Sequence, residues 1–176
     1  MSASAAASVR LNLGCGRKKV DGFVNVDKSG AVAPDLVWDL DVFPYPLPHG
    51  HFVEIRAFDV IEHLRDIPAF MDEVHALLAP GGTIEITTPH YSSPNSYNDP
   101  THRSHLGLFA FDVFTGHELD YYAHGRFELV DRKLYFEPSV FARLKFHLFN
   151  RYPRFYERRL AWMLPAWFMG FVLRKR

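Results

Sequence analysis

The sequence has one cysteine, no net charge and no apolar run long enough to cross a bilayer. The single Cys15 excludes an intramolecular disulfide framework and any zinc or iron–sulfur site built from several cysteines. Twenty Lys and Arg balance twenty Asp and Glu, so net charge alone suggests no polyanionic partner. The longest apolar stretch, residues 160–173, contains Pro165 and Gly170 and falls short of the roughly 20 residues that span a membrane. We therefore expect a reducing, cytoplasmic compartment.

What the sequence does contain is typical of one globular domain. Its 176 residues, of which 16 are Phe, 8 Tyr and 3 Trp, suffice for a substantial core. The first eight residues (MSASAAAS) are small and weakly polar, and we expect them to be disordered. Residues 9–176 then form a single domain.

Short apolar runs alternate with one amphipathic helix in the first half of the chain. The helix has Asp66 as its cap and a periodic apolar face from Ile67 to Leu78, and it ends before Pro80. This alternation predicts a doubly wound α/β fold, with a mostly parallel sheet and helices on both faces. Trp167–Leu173 would be an antiparallel C-terminal strand. The other predicted strands are Val9–Leu13, Phe23–Val26, Asp35–Asp39, Phe52–Ala57 and Thr83–Thr88.

Residues suited to ligand binding follow the predicted strands, at the edge where parallel sheets bind ligands. Gly14 and Gly16 let the backbone approach a ligand closely. A P-loop would need a Gly-Lys-Ser or Gly-Lys-Thr ending, which is absent. A dinucleotide fold would need a third glycine where Lys19 stands, and an acid later than Asp27. The remaining ligand class is S-adenosylmethionine, whose ribose hydroxyls also need a carboxylate after the second strand.

The ordered motifs resemble the class I, Rossmann-like methyltransferases that depend on S-adenosylmethionine. This resemblance implies a seven-stranded sheet. A closer likeness is to the small methyltransferases encoded among glycosyltransferases in bacterial surface-polysaccharide clusters, through NDPTHRSH (98–105) and FYERRLAWMLPAW (155–167). The broader resemblance rests on LNLGCG (11–16), FVNVD (23–27), WDLD (38–41), FDVIEHL (58–64) and LLAPGGTIEITTPH (77–90).

The resemblance implies S-adenosylmethionine as cofactor and assigns its contacts. Gly14, Cys15 and Gly16 would face the methionine part, Asp27 the ribose hydroxyls, and Asp39 with the Leu40 amide the adenine. Phe58 and Asp59 would close over the cofactor from the fourth strand. Asn12 stands where many relatives carry an acid, and Lys18 stands at the usual third glycine. The short gap between Gly16 and Asp27 leaves room for at most a stunted first helix.

Methyl transfer to a hydroxyl oxygen benefits from a general base. Our candidate is His102, with Asp99 orienting its ring and His63 facing the substrate, in a substrate-loop region covering residues 89–125. Each also has a structural alternative: a turn at Asp99-Pro100, a structurally bonded His102 and a helix-start His63. His102 and His105 could instead hold a metal with Asp99, but no clear ligand set completes such a site, and we predict none.

The C-terminal part, residues 143–176, is basic and aromatic. It holds nine Lys or Arg against one acid, Glu157, a net charge of +8 that leaves −8 for the other 142 residues. Such a mixture suits peripheral contact with an anionic membrane. Alternatively, Phe155–Leu164 is a core helix whose basic residues are solvated. RNA binding ranks lower because no RNA-binding module is recognisable, and we expect no nucleic-acid partner.

The sequence therefore predicts an S-adenosylmethionine-dependent methyltransferase that O-methylates a sugar hydroxyl of a surface glycan or its lipid-linked precursor. We expect a cytoplasmic protein that can lie at the inner face of the membrane, and the oligomeric state stays open. The alternatives are a methyltransferase acting on a small metabolite or natural product, and a non-catalytic protein that binds S-adenosylmethionine. A dehydrogenase is a more distant alternative.

Overall fold

A computed structural model describes residues 9–116 and 125–176. In these ranges seven strands form one sheet in the order β3-β2-β1-β4-β5-β7-β6. The strands are β1 (Val9–Leu13), β2 (Phe23–Asp27), β3 (Leu36–Val37), β4 (Phe52–Phe58), β5 (Leu78–Pro89), β6 (Phe127–Tyr135) and β7 (Phe168–Lys175). The α-helices are α1 (Ile67–Leu77), α2 (Asn95–Asn98), α3 (Ala142–Arg151) and α4 (Pro153–Arg159). The expectation that residues 1–8 are disordered lies outside the described residues.

The predicted fold class is confirmed. Strands β1 to β5 pair in parallel, while β7 runs antiparallel to both of its neighbours, β5 and β6. The predicted C-terminal strand is therefore correct, shifted by one or two residues. Residues 17–22 form turns and irregular backbone with no helix, in agreement with the short gap between Gly16 and Asp27.

Strands β1 and β2 and helix α1 match their predictions closely. Asp66 caps α1 as expected, because its carboxylate accepts a hydrogen bond from the Ala69 amide at 2.9 Å. Phe70, Met71, Val74 and Leu77 on α1 are buried. In these three elements the apolar periodicity and the capping or turn residues indicate the same bounds, so the local sequence is enough to predict them.

Three predicted bounds were wrong, and one strand was missed. Strand β3 is only Leu36–Val37, and β5 begins already at Leu78, which pairs with Phe52 across a register irregularity. The predicted helix Phe155–Leu164 is the shorter α4. Strand β6 escaped prediction because a register shift between Leu129 and Asp131 breaks its alternating pattern.

The C-terminal part divides between core and surface. Phe149, Tyr156 and the inward residues of β7 are buried, whereas Phe155 and Trp162 are 58% and 70% exposed. Within the described residues, no helix is long and apolar enough to cross a membrane. Part of residues 143–176 therefore belongs to the core, as the core-helix alternative expects, and contact with a membrane stays a prediction.

Strand β7 joins the parallel strands to β6, so its packing tests the architecture. Phe171 is 1% exposed and its ring centroid lies 4.5 Å from that of Phe111. We expect Phe171→Ala to lower the free energy of unfolding by about 3–5 kcal/mol, the cost of emptying a large buried site. Urea unfolding measures this loss. The exposed Phe155→Ala is the matched control, expected within about 0.5 kcal/mol of wild type; similar losses in both variants would contradict the assignment of Phe171 to the core.

Candidate functional site

The site begins where β1 ends. Strand β1 is followed by Gly14, whose φ is +65°, a conformation that L side chains rarely adopt. A Cβ at this position would lie 2.4 Å from Cγ2 of Val60, the second residue after β4. Glycine is therefore required for the ends of two adjacent strands to approach this closely.

The turn after β1 is held by the carboxylate at the end of β2. Asp27 accepts hydrogen bonds from the Gly16 amide through Oδ2 and from the Ser29 amide through Oδ1, both at 2.8 Å. The Cys15 amide donates to the Val26 carbonyl at 3.0 Å. These bonds fix the glycine turn against β2 without a following helix.

A cavity of about 310 Å³, which we call the glycine-turn cavity, opens beside this turn. Five of the nine predicted cofactor residues line it: Gly14, Asp27, Asp39, Leu40 and Asp59. Its remaining lining residues, which were not among the predicted cofactor residues, are Lys28, Asp41, Val60, His63, Leu64 and Thr101.

The other four predicted cofactor residues do not line this cavity. Asn12 is buried and its Nδ2 donates to Oδ1 of Asn25 at 3.0 Å, so it supports the strands beneath the turn. Gly16 acts through its amide on Asp27. Cys15 is buried, which raises the pKa of its thiol, and Phe58 is 38% exposed beside Arg56.

The glycine-turn cavity fits S-adenosylmethionine. Gly14 contributes only backbone atoms to the lining, and the carboxylates of Asp27 and Asp39 supply acceptors for hydroxyl and amino groups. The loop that carries Leu40 is fixed, since the buried Tyr45 hydroxyl donates to the Leu40 carbonyl at 2.7 Å. The residues present can therefore hold such a cofactor.

A second cavity of about 540 Å³, the histidine cavity, adjoins the first. The two share Asp59 and His63. Asp59 adopts a φ of +57°, which Asp tolerates better than most residues. The other lining residues of the histidine cavity are Glu62, Pro89, Asn95, Asn98, Asp99, Pro100, His102 and Phe168. Four segments thus border one open space: the turn after β4, the end of β5, residues 95–102 and the start of β7.

Glu62 is the buried acid of the histidine cavity. Its side chain is 2% exposed, and Oε2 accepts a hydrogen bond from the Thr88 hydroxyl at 3.0 Å. Oε1 is buried and has no hydrogen-bond partner. Burial raises the pKa of this carboxyl to about 7. Glu62 was not among the predicted site residues, although the available signal was a charged residue between the apolar residues Val60, Ile61 and Leu64.

His102 lies opposite Glu62. Its Nδ1 is 3.1 Å from the Ser96 carbonyl oxygen, which can only accept, so Nδ1 carries a proton and, in the neutral imidazole, Nε2 holds the lone pair. Nε2 lies 4.0 Å from Oε1 of Glu62 and 4.0 Å from Oδ2 of Asp99. Ser96, rather than the predicted Asp99, therefore orients the ring through Nδ1.

His63 completes the group on the side of the glycine-turn cavity. Its Nδ1 lies 3.0 Å from the Thr101 hydroxyl, which donates to Oδ1 of Asp99 at 2.6 Å. Burial and the neighbouring His102 lower the pKa of the His63 imidazole. The structure thus brings together all three predicted catalytic residues, His102, Asp99 and His63.

Two further histidines in this region have other partners. His105 bonds through Nδ1 to the Ser96 hydroxyl at 2.9 Å and stacks on Tyr97, so it does not join His102 and Asp99 as a ligand set. His90 is fully buried between Ser92 and Glu157, with Nε2 3.3 Å from Oε1 of Glu157. Both histidines therefore hold the segment that follows β5 in place.

Comparisons with known proteins agree with this geometry. The family model of a methyltransferase domain matches residues 6–162. No curated protein matches the sequence. Among solved structures, an S-adenosylmethionine-dependent methyltransferase from Mesorhizobium loti is 15% identical, with a TM-score of 0.60 over 94% of this chain and 89% of that chain.

Two other solved structures share the fold. An S-adenosylmethionine-dependent methyltransferase from Archaeoglobus fulgidus is 18% identical, with a TM-score of 0.57 over 96% of this chain and 86% of that one. The [4+2]-cyclase SpnF is 16% identical, with a TM-score of 0.62 over 96% of this chain and 74% of that one. One fold therefore serves more than one reaction in these neighbours.

The sheet order and the glycine-turn cavity define a Rossmann-like methyltransferase fold. The chain belongs to the methyltransferase domain family, whose model covers most of its length. This membership confirms S-adenosylmethionine as the cofactor expected from the sequence.

Asp27 provides the sharpest test of the cofactor site. We expect Asp27→Ala to weaken binding of S-adenosylhomocysteine at least about tenfold, or about 1.4 kcal/mol, because the variant loses both the carboxylate and the bond that holds Gly16. Calorimetric titration of the purified protein measures this. Asp21→Ala, which removes an exposed acid at the start of β2, is the matched control. Equal affinities for the wild type and the Asp27 variant would disprove the assignment.

Proposed function

We propose that this protein transfers the methyl group of S-adenosylmethionine to a hydroxyl oxygen of a sugar, in a surface glycan or its lipid-linked precursor. The observation that supports this proposal is the junction of the two cavities at Asp59 and His63. A cofactor in the glycine-turn cavity and an acceptor in the histidine cavity would meet there. In-line transfer depends chiefly on such alignment.

The residues around the glycine-turn cavity hold the cofactor. Asp27 and Asp39 bind its hydroxyl and amino groups, and Gly14 leaves room for its chain. When bound, S-adenosylmethionine supplies a methyl group activated by a positively charged sulfur. Val60 and Leu64 present apolar surface to this cavity and are themselves buried, so they help to exclude water from it.

The histidine cavity activates the acceptor. Nε2 of His102 carries an unshared lone pair and faces the cavity beside Glu62. In the absence of a bound cation, Nε2 accepts the proton of the acceptor hydroxyl as its oxygen takes the methyl group. Asn95, Asn98 and Asp99 add amide and carboxylate groups to the lining. Such groups pair with several hydroxyls at once, which favours a sugar over an apolar metabolite.

Replacing His102 tests this chemistry. We expect wild-type protein to form a methyl ether on a nucleotide-linked or lipid-linked sugar, detected by mass spectrometry with methyl-labelled S-adenosylmethionine. His102→Gln should slow transfer about 10²- to 10⁴-fold, the usual contribution of a general base, while affinity for S-adenosylhomocysteine stays unchanged.

The matched control for His102→Gln is His49→Gln. His49 is an exposed residue just before β4. It lies at the amino ends of the strands, away from the site at their carboxyl ends, so its replacement should not change the rate. Cofactor binding without a methylated hydroxyl on any sugar would refute the proposed function. Methylation confined to small non-sugar metabolites would refute the sugar assignment.

We also propose that the protein works at the cytoplasmic face of an anionic membrane, through the surface formed by residues 141–167. Exposed apolar side chains alternate there with exposed arginines. Tyr91 packs against Trp162, and Phe168 lines the histidine cavity directly after Trp167, so this surface adjoins the proposed acceptor site. The exposed side chains are Phe141, Leu144, Tyr152, Phe155, Trp162 and Met163, with Arg143, Arg151, Arg154, Arg158 and Arg159.

Vesicle binding tests this surface. We expect sedimentation with phosphatidylglycerol vesicles, weak sedimentation with phosphatidylcholine vesicles, and release by salt. Since each basic residue near an anionic surface contributes about 1 kcal/mol, the double variant Arg158→Gln, Arg159→Gln should bind at least about tenfold more weakly. Lys18→Gln with Lys19→Gln removes the same charge from the loop after β1 and should bind normally. Equal weakening in both double variants would exclude a specific membrane surface.

A further inference from the structure

Three potential metal ligands converge in the histidine cavity. Glu62, His63 and His102 each offer one ligand atom, and these atoms lie within 4.8 Å of one another. The residues come from two segments, the turn after β4 and the loop after α2. Glu62 and His102 side chains are 2% and 8% exposed. Such burial distinguishes this group from ordinary surface clusters of polar residues.

Glu62 presents an oxygen with no partner. Oε2 is held by the Thr88 hydroxyl, which fixes the carboxylate, while the buried Oε1 accepts no hydrogen bond. A buried acceptor left unpaired costs about 1–3 kcal/mol, and more when charged. Its surroundings offer a second lone pair rather than a donor, since Nε2 of His102 lies 4.0 Å away. A cation placed between Oε1 of Glu62 and Nε2 of His102 would satisfy both atoms.

Both histidines are held through Nδ1, and Nε2 of His102 is the nitrogen beside Glu62. A metal-ligating histidine usually donates its other ring N–H to a carbonyl or carboxylate. Nδ1 of His102 donates to the Ser96 carbonyl. Nδ1 of His63 donates to the Thr101 hydroxyl, because that hydroxyl's own proton goes to Asp99. In both rings Nε2 is therefore the nitrogen that remains free.

The loop that carries His102 is docked on Glu62 itself. The Arg103 and Ser104 amides donate to the Glu62 backbone carbonyl at 2.7 and 3.1 Å. Backbone hydrogen bonds thus set the separation of the two side chains. A distance of 4.0 Å is too long for a hydrogen bond. Two ligands of one tetrahedral ion with bonds of about 2.0–2.2 Å lie about 3.3–3.6 Å apart, so a small side-chain movement would let both atoms reach the same ion.

We propose that Glu62, His63 and His102 bind a divalent transition-metal cation, with open coordination positions toward the histidine cavity. Two imidazoles and one carboxylate suit ions such as Mn²⁺, Co²⁺ or Zn²⁺. Oxygens of the acceptor would take the open positions, so the ion would orient the sugar and lower the pKa of its hydroxyl. This role rests on the proposed function, whereas cation binding itself does not. With the ion bound, His102 would be a ligand rather than the base. The proton of the acceptor hydroxyl would then go to Asp99, whose partly exposed carboxylate also lines the histidine cavity.

Cation binding is measured directly on the full chain after treatment with a chelator. We expect calorimetry with Mn²⁺ and Zn²⁺, and the visible absorption of added Co²⁺, to show one site. Glu62→Gln keeps the shape but removes the charge, and should weaken binding at least about tenfold. His102→Gln should do the same, whereas His49→Gln, which removes an exposed histidine at the amino ends of the strands, should not.

Affinity for S-adenosylhomocysteine, measured for each variant, identifies any protein that has failed to fold. Binding of Co²⁺ that is as tight in Glu62→Gln as in wild type would overturn the inference. Methyl transfer by a chelated protein that binds no cation would overturn it too, while leaving the proposed function intact. Cation binding without methyl transfer would support the site and refute the function. Restoration of lost activity by Mn²⁺ in chelated wild type, but not in Glu62→Gln, would support both.

Discussion

The reversal of strand order between β1 and β4 is the constraint on which the site depends. The chain leaves β1 toward β2 on one side, and β4 returns on the other side of β1. The connections that follow these two strands therefore diverge and leave a crevice at their carboxyl ends. Gly14 and Val60 meet across this crevice, and Asp59 and His63 lie where its two cavities join.

Glu62 holds the histidine cavity together through its backbone and its side chain. Its backbone carbonyl accepts two amides of the 99–104 loop, while its carboxylate reaches β5 through Thr88. One residue thus fixes the loop to the sheet and places His102 opposite a buried charge. The free energy of the loop contacts offsets the cost of keeping Oε1 unpaired. A buried polar atom without a partner, which lowers the stability of the fold, is typical of a ligand-binding position.

The predictions succeeded where the cause was local. The apolar run of β1, the glycine turn and the Asp66 cap each depend on neighbours in sequence, and each was placed correctly. The pairing of Glu62 with His102 was not foreseen, because it joins residues 40 positions apart through a loop without regular structure. Strand β6 was missed for a related reason, since its register shift follows from pairing with β7. Local patterns therefore found residues of both cavities, but not the long-range contacts that join them to Glu62 or β6 to β7.

The position of Glu157 explains why the surface of the C-terminal part is basic. It is the one acid among residues 143–176, and it points inward, to His90 at the end of β5 and to the Leu108 amide. These contacts lower the pKa of its carboxyl even though burial opposes the charge. With its acid turned inward, the segment keeps arginines and aromatic side chains at its surface. The contact between His90 and Glu157 fastens that surface to the end of β5, beside the histidine cavity, so the basic face and the proposed acceptor site are held next to each other.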